Sequence, residues 1–204
     1  MCGIAGEVNY KYKTDHDIFE HMKRMLKRRG PNQDGIYDSQ NVTLVHTRLS
    51  VVDLEHGIQP MKVEYGDREY CVVYNGELYN TEEVRGKLAA KGHYFIGHSD
   101  TEVLLKAYVE WGEECVDLFN GIFAFAIWDK QEQTLFIARD RMGVKPFFYY
   151  EKDGVFVFGS EIKALLLHPL VEAAINIGSI AEIMLVGPGR TPGYGVFKDI
   201  KELR

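Results

Sequence analysis

A cysteine stands at position 2, in the opening MCGIAGEVNY. A thiol is a weak nucleophile until a base takes its proton or its pKa falls. The usual base is a neighbouring histidine, but no motif in this chain pairs a cysteine with a histidine. Residue 2 has another base within itself. Once Met1 is removed its own α-amine is free, with an ordinary pKa of about 7.7–8.0. That value suits a general base near neutrality. Amine and thiol share one residue, so their geometry needs no other support. Cys2 is small, as removal of the methionine requires, and Gly3 lets the backbone approach closely. With Met1 attached, the same nitrogen is an amide and cannot serve as base. The alternative is a small buried residue at the start of a strand.

Acyl transfer to such a thiol also needs fixed N–H donors for the oxyanion. Asn75–Gly76, in YNGELYN directly after an apolar run, offers a side-chain amide and a backbone N–H together, although NGE also reads as an ordinary turn. A substrate that is an amino acid needs a cation for its carboxylate and an anion for its ammonium. The planar fork of Arg48 suits the first. Glu77 and Asp100 suit the second, and Asp100 equally reads as a helix cap. His46 and His98 lie nearest these residues and read as packing or hydrogen-bonding groups. Cys71, inside EYCVVY, reads as core, and Cys115 as helix packing. Three cysteines make no disulfide framework. Without CxxC or HExxH spacing, no metal site is expected.

These residues must be positioned by elements the chain can build. Its 204 residues are 46% hydrophobic and 26% charged, an ordinary globular balance. The net charge of −6 gives no reason to expect nucleic acid as a partner. KRMLKRR, at 23–29, reads as the solvated cationic end of a helix. No apolar stretch approaches the ~20 residues of a membrane span and no signal peptide leads the chain. The expectation is a cytoplasmic protein that meets no membrane. GxxxxGKS/T and GxGxxG phosphate loops are absent.

CGIAGEV reads as a buried strand. HDIFEHMKRMLKRR places Ile18, Met22, Met25 and Leu26 on one helical face and stops at Gly30–Pro31. VTLVHTRLSVVD reads as strand then turn, and EYCVVYNGELYN as a strand running into a Gly-containing turn. TEEVRGKLAAKG is a helix with Thr81 as N-cap, HYFI a short strand, and SDTEVLLKAYVEWG a helix capped at Ser99 or Asp100. CVDLFN adds a helical turn. IFAFAIWD, TLFIARD, PFFYYEK and VFVFGS read as four strands of an antiparallel meander. IFAFAIW is apolar on both alternating faces, so it must be covered on both sides. SEIKALLLHP is a helix stopped by Pro169. The sum is an α+β fold with stacked sheets flanked by helices. VGPGRTPGYGVFKDIKELR, rich in Gly and Pro, reads as a linker or the start of something that continues.

MCGIAG, RRGP, HTRLSVVD, QPM, YNGELYN, HSDTEVLL, FNGIFAFAIWD, ARDRMGVKPFFYY and FGSEIKAL follow one another in an order that resembles the glutamine-hydrolysing domain of asparagine synthetases. That domain is an amidotransferase of class II, the N-terminal-nucleophile type. The resemblance covers about residues 2 to 200. It implies a four-layer αββα sandwich of two antiparallel sheets between helical layers. It implies that Cys2 attacks the glutamine side-chain amide, with its α-amine as base, and that Asn75 and Gly76 form the oxyanion hole. Arg48 would hold the glutamine carboxylate, and Glu77 and Asp100 its ammonium. Leu49 and Val52 would line the pocket, and water would release glutamate from the thioester. In the family, ammonia travels through a tunnel to a second domain, where ATP activates aspartate. That domain's Ser-Gly-Gly-rich pyrophosphate loop is absent here, so no cofactor is expected in this chain, and ATP and magnesium belong to the absent domain. The implied organisation is an amidotransferase domain over 2–190 and a linker over 191–204. The implied partners are glutamine and the synthetase domain, with a homodimer left open. Where the family has RGPD, this chain has RGPN, with Asn32. The alternatives are a glutaminase domain serving another amide-forming synthetase, or a catalytically silent binding domain.

Overall fold

Apolar side chains on both faces of the strands dictate what must cover them. The computed structural model describes residues 1–187 and 196–204, apart from the side chain of Val186. One antiparallel sheet holds β1 (Gly3–Asn9), β2 (Gln33–Asp38), β3 (Val42–Arg48), β8 (Phe148–Lys152), β9 (Val155–Gly159) and β10 (Ile200–Glu202), in the order β10-β8-β9-β1-β3-β2. A second holds β4 (Met61–Tyr65), β5 (Arg68–Leu78), β6 (Gly121–Asp129) and β7 (Thr134–Arg139), in the order β4-β5-β6-β7.

Strand alternation sorts the core into three layers. Ile4 and Val8 of β1 meet Cys71 and Val73 of β5 and Ala124 and Trp128 of β6 between the sheets. Ala5, on the opposite face of β1, packs with Phe19, Met22 and Leu26 of α1 (His16–Leu26) and with Ala164 and Leu165 of α4 (Ile162–Leu165). Val72 and Tyr74 of β5 and Phe125 and Ile127 of β6 pack with Leu88 of α2 (Thr81–Ala90) and Leu104 of α3 (Asp100–Trp111). The result is helix, sheet, sheet, helix, an α+β fold, and IFAFAIW is covered on both faces as expected.

Several elements differ from their sequence expectations. β6 and β7 pair in one sheet, while β8 and β9 pair in the other. The expected meander is therefore two hairpins, split where Asp140 turns the chain. HYFI forms no strand. The inward stripe of α1 is Phe19, Met22 and Leu26, at i, i+3 and i+7, and Met25 is 37% exposed. Asn80 occupies the N-cap of α2, and the Thr81 hydroxyl donates instead to the Leu78 carbonyl at 2.6 Å. Ser99 does cap α3, its Oγ accepting from Thr101 N at 3.1 Å. In the tail expected to be a linker, residues 191–195 lie outside the described residues. Beyond them, β10 pairs with β8 and buries Ile200. A further helix, α5 (Ile177–Val186), precedes that segment.

Candidate active site

Cys2 stands one residue ahead of β1. Register pairs Gly3 with Thr47, which sets Cys2 beside Arg48 and Leu49 at the end of β3. Its thiol donates a long contact to the Leu49 carbonyl at 3.8 Å. Arg29 Nε donates to the Cys2 carbonyl at 2.8 Å, while its Nη1 pairs with Glu161 at 3.3 Å. Part of the basic run expected in solvent thus sits under Cys2. Burial pushes the Cys2 thiol above its ordinary pKa. The Leu49 contact, the amino terminus and Arg48 pull it the other way, and Asp100 adds to the rise.

Asn75 and Gly76 lie within β5, not in a turn after it. They pair with Ala124 and Phe123 of β6. Pairing with β4 ends at Met61–Val72, so beyond Val72 one edge of β5 carries no strand. That edge delivers donors to the site. Tyr74 N donates to Gln59 Oε1 at 2.7 Å, and Leu78 N donates to Asp100 Oδ2 at 3.2 Å. By the two-residue period, Gly76 N–H points to the same edge, between those two. The Asn75 side chain takes the face toward the first sheet, where Cys2 lies. It is buried, and its Nδ2 has no hydrogen-bond partner among the described residues. A buried orphan donor is costly unless a ligand satisfies it.

All eight sequence candidates line one cavity of about 250 Å³. Cys2, Arg48, Leu49 and Val52 form the side belonging to the first sheet. Asn75, Gly76, Glu77 and Asp100 form the side belonging to the second. Asp100, half-buried, is held by the Tyr74 hydroxyl, which donates to Oδ2 at 2.8 Å. Burial raises the Asp100 pKa, and the bonds from Tyr74, Leu78 and Thr101 oppose that rise. Burial beside Asp100 also holds the Tyr74 phenol well above its ordinary value, so it keeps its proton and remains a donor.

Arg48 is more committed than its sequence position suggests. Its Nη1 donates to Gln33 Oε1 at 2.6 Å and Leu54 O at 3.2 Å, and its Nη2 to Val52 O at 2.9 Å and Asp53 O at 2.5 Å. The guanidinium therefore gathers the loop that follows β3, leaving Nε–H as its donor without a bond to a described residue. Asn32 makes a related tie, its Oδ1 accepting from Ser50 N at 2.9 Å. The neutral side chain thus supplies an acceptor that anchors the same loop.

Sequence reasoning missed Tyr74, Gln59, Arg29 and Lys145. Lys145 is 8% exposed, lines the cavity and has no carboxylate within ion-pair distance among the described residues. Its signal, a lysine in DRMGVKPFF, is hidden within a turn motif. His46 is fully buried and donates through Nε2 to the Tyr74 carbonyl at 3.0 Å. Burial lowers its pKa to about 4, so it is a neutral tie between the sheets. His98 contributes its backbone N–H. Cys71 and Cys115 are wholly buried, with thiols pushed up by burial, Cys115 to about 12. Among the described residues no cluster of metal-ligating side chains forms, and no helix is long and apolar enough to cross a membrane.

This architecture is shared with known proteins. The chain superposes on the glutamine phosphoribosylpyrophosphate amidotransferase from B. subtilis with a TM-score of 0.70 over 81% of its own length and 43% of the other, at 19% identity. It is 50% identical to asparagine synthetase (glutamine-hydrolysing) 3 of Bacillus subtilis, covering 100% of this chain and 34% of that protein. It is 36% identical to putative asparagine synthetase (glutamine-hydrolysing) 2 of Methanocaldococcus jannaschii, covering 100% of this chain and 42% of that protein. The chain thus spans between a third and a half of these relatives. The family model for the glutamine amidotransferase domain matches residues 1–204, and the chain belongs to that family.

Proposed function

We propose that this chain hydrolyses the side-chain amide of glutamine at Cys2 and that the ammonia serves ATP-dependent conversion of aspartate to asparagine in a C-terminal synthetase part. One observation carries the reading. A thiol, a buried unpartnered amide donor and a half-buried carboxylate converge on a single small cavity. At about 250 Å³ it lies below the range of about 300–1,000 Å³ typical of sites for drug-sized ligands and suits an amino acid.

The thiol needs a base because burial keeps it protonated. With Met1 gone, the Cys2 α-amine takes the proton as sulfur attacks the amide carbon. The oxyanion receives hydrogen bonds from Asn75 Nδ2 and Gly76 N–H. As the tetrahedral carbon collapses, the C–N bond breaks and the ammonium of Cys2 returns the proton to the leaving nitrogen, releasing ammonia. Water, deprotonated by the same amine, adds to the thioester, and glutamate leaves with the thiol restored. Asp100, with Glu77 at the rim, takes the substrate ammonium. Arg48 meets the carboxylate through Nε–H while holding the loop that carries Leu49 and Val52. ATP and magnesium belong to the synthetase part in this reading. A cytoplasmic location belongs to it too, supported by three unpaired cysteines.

The test is an intact-mass spectrum after incubation with a diazo-ketone analogue of glutamine, with Cys2→Ala alongside. The expected wild-type spectrum shows loss of Met1 and gain of one adduct, and Cys2→Ala shows no adduct. A processed protein that takes no adduct overturns the reading in favour of a silent binding domain.

A further inference from the structure

Two walls of the cavity come from segments without regular structure. The loop 49–58 follows β3, and the stretch 96–99 leads into α3 and delivers Asp100. One residue holds both. Asp53 lies in the left-handed region, at φ 47°, and its side chain is only 7% exposed. Its Oδ1 accepts from His56 N at 3.0 Å and from His56 Nδ1 at 3.2 Å, in the tautomer protonated there. Its Oδ2 accepts from His98 N at 2.6 Å. Its carbonyl accepts from Arg48 Nη2 at 2.5 Å and from Gly57 N at 3.0 Å. The fit is close from the far side too. A Cβ on Gly97 would lie 2.3 Å from Asp53 Oδ2. The donors around the carboxyl, led by His56 N–H, lower its pKa to about 2, so it is a carboxylate throughout the neutral range.

We propose that Asp53 is a positioning residue of the glutamine site, its carboxylate latching the loop 49–58 to the segment that carries Asp100. It touches no reacting atom. It sets the distance between the wall that holds the substrate carboxylate and the group that holds its ammonium. Its effect on catalysis rests on the glutaminase reading, but the latch itself does not.

Two variants break the latch from opposite sides. Asp53→Ala removes the acceptors, and Gly97→Ala drives a methyl into the space Oδ2 occupies. Both should raise the KM for glutamine about tenfold, the scale of one charge-assisted hydrogen bond, while kcat changes less than about threefold. Asp53→Asn keeps one acceptor oxygen and should fall between wild type and Asp53→Ala. Hydrogen exchange, measured on the same proteins without substrate, should quicken in 49–58 and 96–100 together, with β1 and β5 unaffected. The proposal is overturned if 96–100 exchanges at the wild-type rate in Asp53→Ala, or if the loss falls on kcat with KM unchanged. A wild-type protein without glutaminase activity would sink the proposed function, and the exchange data would still decide the latch.

Discussion

Asn75 shows how little of the proposed glutamine site is chemistry the protein performs and how much is placement. Its Nδ2 is shut off from water and unpartnered among the described residues, a cost of about 1–3 kcal/mol for a neutral polar group. In the proposed reaction that cost is recovered when the oxyanion arrives, so there the donor is worth most in the transition state. Asn75→Ala should therefore lower glutaminase kcat by about 10²–10³ and leave KM for glutamine within about threefold. Steady-state release of glutamate measures both, and an unchanged kcat would remove Asn75 from the oxyanion hole. The thiol obeys the same logic from the other direction. Burial raises its pKa, so in the proposed reaction the thiol is activated by the freed amine of Cys2. That Cys2, Arg48, Asn75, Glu77 and Asp100 face one cavity was legible in the sequence because each type suits one job in the proposed reaction. Tyr74, Gln59, Arg29 and Lys145 were not, because a phenol in an apolar strand or an arginine in a basic run looks ordinary until its neighbours are known.

Elements translate that chemistry into distance. β5 serves two faces and one edge: Tyr74 faces α3, Asn75 faces the first sheet, and the backbone N–H groups of 74, 76 and 78 line the edge that β4 leaves open. Asp100, at the first turn of α3, is held against that edge by the Tyr74 hydroxyl and Leu78 N. Removing the hydroxyl leaves a buried carboxyl, already raised by burial, with one fewer donor to its charged form. Its pKa must rise further, so it protonates at higher pH and there loses the charge that holds the substrate ammonium in the proposed reaction. Cys2 of the N-terminal segment, Arg48 of β3 and Glu77 of β5 face the same cavity and are unchanged by the substitution. Tyr74→Phe should therefore raise the Asp100 pKa, read from its 13C-carboxyl shift across pH, and raise the KM for glutamine with kcat at pH 8 nearly intact. An Asp100 carboxyl that titrates as in the wild type would show that Tyr74 does not tune it. Strands with continuous apolar runs, β1, β3, β5 and β6, were readable because burial on both faces leaves that mark. β2 and β4 were not, since QDGIYD and MKVEY lie at sheet edges and are largely polar outside. The turn expected at Asn75–Gly76 failed for a related reason. Gly76 is small because Tyr74 Cε2 and the Ile122 carbonyl would lie 2.5 and 2.6 Å from a Cβ there, not because the chain reverses.

At the scale of the molecule, the proposed nucleophile and the proposed oxyanion donors belong to different sheets. Cys2 precedes β1, Asn75 and Gly76 lie on β5, and no described strand of one sheet pairs with a strand of the other. Their spacing is set by the apolar layer between the sheets, helped by the bonds His46 to Tyr74 and Tyr37 to Glu69 at 3.0 and 2.8 Å. Phe158 fills the centre of that layer, fully buried and stacked on Phe147 with ring centroids 5.2 Å apart. Its ring occupies the space a Cβ on Gly6 would need, coming within 2.7 Å of it, so it bears directly on the strand that follows Cys2. Phe158→Ala should cost about 3–5 kcal/mol, because neighbours collapse only partly into the vacated space. Leu88→Ala, between α2 and the outer face of the second sheet, should cost about 2–5 kcal/mol by the same mechanism. The two are comparable in stability but not in geometry. A cavity between the sheets lets them shift against each other, and a displacement near 1 Å between reacting groups can cost about 10² in rate. Assayed well below both melting midpoints, Phe158→Ala should lose about tenfold or more in glutaminase kcat, and Leu88→Ala should stay within about twofold. Equal losses in the two variants would mean that global stability, and not the packing between the sheets, governs the alignment of thiol and oxyanion hole.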